Sequence, residues 1–154
     1  MNESGFYKLL KAKVFDKLTG FYYDRLESTV SSNGLPDLTY SYAGRHGFIE
    51  LKYVDINDFD KRPFKPKRNI SLSQIMWLND RGRTGGNCWV WIGTRNNIYI
   101  VHYASVTAYW TLGGMTWGDI RACADVVLPI AKITEIDICS IERILGNHPN
   151  FSCG

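Results

Sequence analysis

Two stretches decide how this chain is read: Gly34-Leu35-Pro36-Asp37 and, beyond a turn, Gly47-Phe48-Ile49-Glu50-Leu51-Lys52-Tyr53. In an extended strand side chains alternate between faces. Phe48, Glu50 and Lys52 therefore share one face, and Ile49, Leu51 and Tyr53 the other. The residues flanking Glu50 are apolar, which marks a central strand rather than an edge. Residues 36–42 form a preceding strand candidate. Ala43-Gly44-Arg45-His46-Gly47 reads as the hairpin turn between the two, with 47–54 as the returning strand.

A carboxylate and an ammonium in the middle of a core-like strand are costly unless paired or solvated. Asp37 opens the preceding strand, so the hairpin is expected to bring it beside Glu50. Two carboxylates at one place repel, and a divalent cation removes the repulsion. Oxygen ligands suit Mg²⁺ or Mn²⁺ rather than zinc. Such an ion polarises a phosphoryl oxygen and acidifies a bound water, and a neighbouring lysine stabilises charge developing on a phosphate. Read from the residues alone, Asp37, Glu50 and Lys52 form a metal-assisted phosphodiester hydrolysis site.

Working outward, residues 4–18 read as a helix, with Phe6, Leu10, Val14 and Leu18 on one stripe. Residues 21–31 read as a strand. Residues 71–82 read as a second helix with Leu72, Ile75, Met76 and Asn79 on one face. Ser71 and Gln74 have capping-box spacing, Ile70 and Ile75 suit a hydrophobic staple, and Gly82 suits the C-terminal end. Residues 88–94 are nearly all apolar, a strand buried on both faces. Ile98–Tyr103 follows as another strand. Later signals are weaker: a short helix at 104–111, strand or loop at 125–133, and a terminal helix at 137–146. The order predicts an α/β fold, helices around a mixed β-sheet. A single domain is expected over 1–154, with its core at about 5–103 and a C-terminal extension at 104–154.

Composition agrees. The 154 residues are 45% hydrophobic and 21% charged, which excludes disordered, collagen-like and coiled-coil chains. No apolar run approaches the ~18 residues of a membrane span. The polar N-terminus argues against a signal peptide and for a cytoplasmic location. The four cysteines form no CxxC pair, so zinc is not expected and reduced thiols are. The net charge of +3 is modest, but five positive charges fall within residues 61–68.

The chain resembles the PD-(D/E)xK nuclease superfamily through Pro36-Asp37, Glu50-Leu51-Lys52 and Gln74. The Gly34-Leu35-Pro36-Asp37 run and the helix pattern Gln74-x-x-Trp77-Leu78 are most similar to its VRR-NUC and Holliday-junction-resolvase-like branches, many of them small phage or prophage proteins. The resemblance implies a restriction-endonuclease-like core of helix, three strands, helix and strand. It implies Asp37, Glu50 and the Leu51 carbonyl as metal ligands, Lys52 as the catalytic lysine, and Gln74 near the scissile phosphate or the lysine. An upstream acid often joins such sites, and Glu27 is the candidate by position. Junction or otherwise branched DNA is the implied substrate in recombination, repair or phage DNA processing. A homodimer is the implied assembly, working in a bacterial or phage-infected cytoplasm.

Each element has a plainer reading. Asp37 also suits a strand start after a turn, Glu50 and Lys52 a cross-strand ion pair, Gln74 a capping residue and Glu27 a surface acid. Lys61, Arg62, Lys65, Lys67 and Arg68 suit either a phosphate-gripping arm or a solvated loop. Arg81 and Arg83 either extend that arm or complement the helix dipole. His46 reads as a turn residue. Within the same fold, the alternatives are a nicking, restriction-type or single-strand-preferring nuclease, or a DNA-binding module without catalysis.

Overall fold

The computed structural model describes residues 1–26, 34–57, 70–112 and 115–146. Ala43 and Gly44 close the hairpin, both with positive φ (49° and 77°), and Tyr42 pairs directly with Arg45. A two-residue turn of that handedness matches strand twist, so pairing extends to the turn itself. The returning strand thus begins at Arg45, earlier than the sequence suggested.

Six strands lie side by side in chain order: β1 (Tyr22–Arg25), β2 (Leu38–Tyr42), β3 (Arg45–Tyr53), β4 (Asn87–Gly93), β5 (Asn97–His102) and β6 (Val126–Pro129). Neighbours are antiparallel except β3 and β4, which are parallel. A parallel step needs a crossover, and α2 (Leu72–Arg83) lies in that connection. The fold is α/β, a mixed sheet flanked by helices.

Two apolar clusters sandwich the sheet. Phe6 and Leu10 of α1 (Glu3–Lys13) and Ile141 and Leu145 of α5 (Glu135–Gly146) pack with Ile49, Leu51, Trp89 and Trp91. On the opposite face, Ile75 and Leu78 of α2, Val106 of α3 (Tyr103–Thr111) and Ile120 of α4 (Trp117–Cys123) pack with Cys88, Val90 and Ile92. β4 therefore alternates between two covered faces, as its apolar run predicts. Trp117 is core. Toward β1 the α2 side of the sheet is open among the described residues. Tyr22 is 75% exposed there, and Thr39 and Ser41 are only half-buried.

Three local expectations change. The first helix stops at Lys13 and a 3₁₀ turn, Phe15–Lys17, follows. That turn tucks Phe15 against the rings of Phe21, Tyr23 and Trp91. In α2 the buried line is Ile75 and Leu78, while Leu72 and Met76 are more than half exposed. The helix is rolled so that Gln74 and Trp77 face β3. Gly82 is not the helix terminator. α2 runs to Arg83, and Gly85 takes the left-handed conformation (φ 93°). Gly82 instead clears space for the Tyr103 ring, into which a Cβ would collide. Cys88 and Cys123 are free thiols as expected, whereas Cys139 is disulfide-bonded.

Candidate active site

The hairpin register pairs Leu38 with Ile49. One step further along the same register, Asp37 stands opposite Glu50. Directly opposed residues of an antiparallel pair project to the same face, with Cβ atoms about 5 Å apart. Asp37 Oδ2 accepts the Leu51 N–H at 2.7 Å, which ties the aspartate to β3. In an extended strand the N–H and C=O of one residue point to the same edge, so the Leu51 carbonyl faces the Asp37 side.

Glu50 is 1% exposed, one of the few charged or polar residues buried among the described residues. Its Oε1 accepts from Gln74 Nε2 at 2.7 Å and lies 3.2 Å from Lys52 Nζ. Burial pushes the Glu50 carboxyl up to about 8, and the neighbouring Asp37 charge adds to that, against the opposing pull of Lys52. For Lys52, burial disfavours the ammonium. The carboxylates of Glu50, Glu3 and Asp37 outweigh that and hold its pKa above the ordinary lysine value.

Gln74 serves two masters through one side chain. Its Oε1 accepts the Ser71 N–H at 2.9 Å while its backbone N–H donates to Ser71 Oγ at 3.2 Å, completing the capping box. The other end of the amide then has a fixed direction, toward Glu50. The capping and site readings of Gln74 hold together.

The sequence reading missed Glu3. It sits in the first turn of α1, whose N-cap is Asn2, and places Oε1 3.6 Å from Lys52 Nζ. An acid at the head of the first helix was the available signal, but only the packing of α1 on β3 brings the two together. Glu27, the acid chosen from sequence, lies outside the described residues, as do Lys61, Arg62, Lys65, Lys67 and Arg68. Arg81 and Arg83 are exposed in the last turn of α2. Arg81 stacks over the Trp77 ring at 5.1 Å, and Trp77 meets Phe48 edge-on at 4.7 Å. His46 is an exposed residue of β3, its Nδ1 2.8 Å from Ser41 Oγ.

The donor set suits a hard divalent cation. Asp37 and Glu50 project to one face from paired strands, and no cluster of three or more His, Cys, Asp or Glu occurs among the described residues. Oxygen donors of this kind would fit Mg²⁺, which keeps several waters and uses one or two carboxylates. Burial holds the Glu50 carboxyl above the usual range, and a dication bound beside it would favour its ionised form.

No family model and no curated protein matches the chain. Among solved structures it is similar to Hjc, a Holliday junction resolvase from the archaeal hyperthermophile Archaeoglobus fulgidus. Identity is 18% over 66% of this chain and 74% of that one, with a TM-score of 0.43. No helix among the described residues is long and apolar enough to cross a membrane.

Proposed function

We propose that the chain is a divalent-metal-dependent endonuclease of the PD-(D/E)xK type that hydrolyses DNA phosphodiester bonds. The observation that carries this is the single face shared by Asp37, Glu50 and Lys52, with the Glu50 carboxylate buried and aimed by Gln74. A cross-strand ion pair at the surface would have an exposed glutamate and no need of a buried amide donor.

Asp37, Glu50 and the Leu51 carbonyl would hold Mg²⁺ or Mn²⁺. The bound ion supplies Lewis-acid stabilisation of a phosphoryl oxygen and lowers the pKa of a coordinated water. Gln74 and Lys52 both engage Glu50 Oε1, which holds the carboxylate in place and would leave Oε2 for the ion. Lys52 keeps its charge beside that carboxylate and meets the developing negative charge of the scissile phosphate. Glu3 anchors the lysine from α1. Arg81, Arg83 and the basic 61–68 segment contact the sugar-phosphate backbone.

The substrate we assign is branched DNA, a four-way junction or a flap, cut by a cytoplasmic homodimer because two symmetric strands need two active sites. The test is a cleavage panel of linear duplex, single-stranded, flapped and four-way-junction DNA with Mg²⁺, Mn²⁺ or EDTA. Metal-dependent cleavage, fastest on the junction and abolished in Glu50→Gln and Lys52→Ala, is expected. Cleavage restricted to single strands or to one strand of a duplex would replace the resolvase reading with a single-strand or nicking nuclease. Junction binding without cleavage under every metal would make the chain a binding module. Cleavage unchanged in both variants would overturn the site.

A further inference from the structure

At the opposite end of the β3 row from Lys52 lies a cleft of about 820 Å³, in which Arg81, already assigned to the DNA backbone, stands beside groups the proposed chemistry does not use. Arg45 and His46 at the start of β3, Arg81 at the end of α2, and Asn87 at the start of β4 line it. Glycines 44, 85, 86 and 146 complete its walls, and their missing side chains leave the room. The lining contains two guanidiniums and an imidazole, and no carboxylate. Among the described residues neither Arg45 nor Arg81 has an ion-pair partner.

The cleft is built rather than incidental. Asn87 Nδ2 donates to the His46 carbonyl at 3.0 Å, locking β4 to the cleft edge of β3. Ser41 Oγ holds His46 Nδ1 at 2.8 Å. When that hydroxyl donates, the neutral ring carries its N–H on Nε2. Arg81 is stiffened by its stacking on Trp77. The Arg81 fork stacked on Trp77, the Arg45 guanidinium at the turn end of β3 and a ring N–H, with no acid among the lining residues, form a receptor for a phosphate group.

Its position says which phosphate. His46, Phe48 and Glu50 alternate onto one face of β3, and Gln74, Trp77 and Arg81 run along the facing side of α2. The Phe48–Trp77 contact sits between the two ends. Four residues of strand separate His46 from Glu50, about 13 Å. A separation of that size places the cleft a few nucleotides from the scissile bond along one strand.

Resting on the nuclease reading above, we infer that the Arg45–His46–Arg81 cleft is a second phosphodiester subsite, which grips the cleaved strand a few nucleotides from the cut and sets its register over Asp37 and Glu50. Arg45, His46 and Asn87 thereby become positioning residues.

The experiment measures binding apart from cleavage. Fluorescence anisotropy in EDTA over a KCl series compares wild type with Arg45→Gln/Arg81→Gln, and with Arg45→Lys/Arg81→Lys as the charge-retaining control. One neutralised phosphate contact changes the slope of log K against log salt by about 0.9. The Gln pair is expected to bind roughly tenfold more weakly with a slope shallower by about 1, and the Lys pair to recover the slope. A methylphosphonate walked along the strand is expected to weaken wild type at one position, a few nucleotides from the cut, and to leave the Gln pair indifferent there. Affinity, slope and methylphosphonate profile all unchanged in the Gln pair would overturn the subsite, even if cleavage proceeds. Conversely, a DNA-binding chain that never cleaves would sink the nuclease reading while these binding shifts persist.

Discussion

Replacing the buried Glu50 by glutamine removes the group on which the metal-binding reading depends, and it should stabilise the metal-free fold. The Glu50 carboxyl ionises near 8 in the folded chain, against an ordinary 4.5. An acid raised in this way binds its proton more tightly folded than unfolded. Below about 4.5 both states are protonated and it contributes nothing. Between 4.5 and 8 folding loses stability as pH rises, and above 8 the full cost remains. At 1.36 kcal/mol per unit that cost is about 5 kcal/mol when complete, and roughly 4 kcal/mol at pH 8. Glutamine abolishes it and still accepts the Gln74 hydrogen bond. Lys52 keeps Glu3, 3.6 Å away, and the Asp37 charge, and its lost attraction to Glu50 is already contained in the value of about 8. The gain of about 4 kcal/mol raises Tm by roughly 8–16 °C at pH 8 in EDTA. Near pH 5 the gain should vanish, because the folded wild type is already protonated. Melting curves of both proteins across pH 5–8 are the assay. Glu50→Gln melting below wild type by the same margin at every pH would refute the reasoning, because the carboxylate would then be a stabilising partner rather than a buried burden.

Other perturbations follow from the same contacts. Gln74→Glu keeps a capping-box residue but brings another carboxylate against Glu50 besides Asp37, so its Tm should fall at pH 8 and recover toward pH 5. Gln74→Ala loses both the box and the Glu50 bond, costing about 2 kcal/mol at either pH in denaturant titrations. Lys52→Ala should cut cleavage at least a hundredfold while far-UV circular dichroism stays native. Gly82→Ala gains helix propensity of about 1 kcal/mol but drives a methyl into the Tyr103 ring. A net loss of about 1–3 kcal/mol is expected in urea unfolding. In wild type at pH 8, millimolar Mg²⁺ should raise Tm, and this rise should be absent in Glu50→Gln.

The parts of the molecule legible in sequence are those set by local periodicity. Alternation placed Glu50 and Lys52 on one face, and the even-odd split of 88–94 foretold a strand covered on both sides. The Ser71–Gln74 spacing announced the helix start. The parts that escaped depend on packing between distant segments. Apolar count assigned α2 the stripe Leu72–Met76. The actual roll is set by one polar contact, Gln74 to Glu50, and one aromatic contact, Trp77 to Phe48, which no helical wheel weighs. Gly82 looks like a stop signal until Tyr103, twenty-one residues on, is seen to need its space. Glu3 escaped because its partner is Lys52, and only the docking of α1 on β3 joins them. Arg81 was visible as charge, but its company with Arg45 and His46 depends on the antiparallel course of α2 over β3.

The account stands or falls on whether Asp37 and Glu50 share one cation. A crystal of the full chain soaked in Mn²⁺ at pH 8, with anomalous differences measured at the manganese edge, tests this without reference to any activity. The account predicts a strong peak bridging the two carboxylates and the Leu51 carbonyl at about 2.0–2.3 Å, lost in Glu50→Gln. Full manganese occupancy elsewhere, with Glu50 still clasped by Lys52 and no density between it and Asp37, would contradict it.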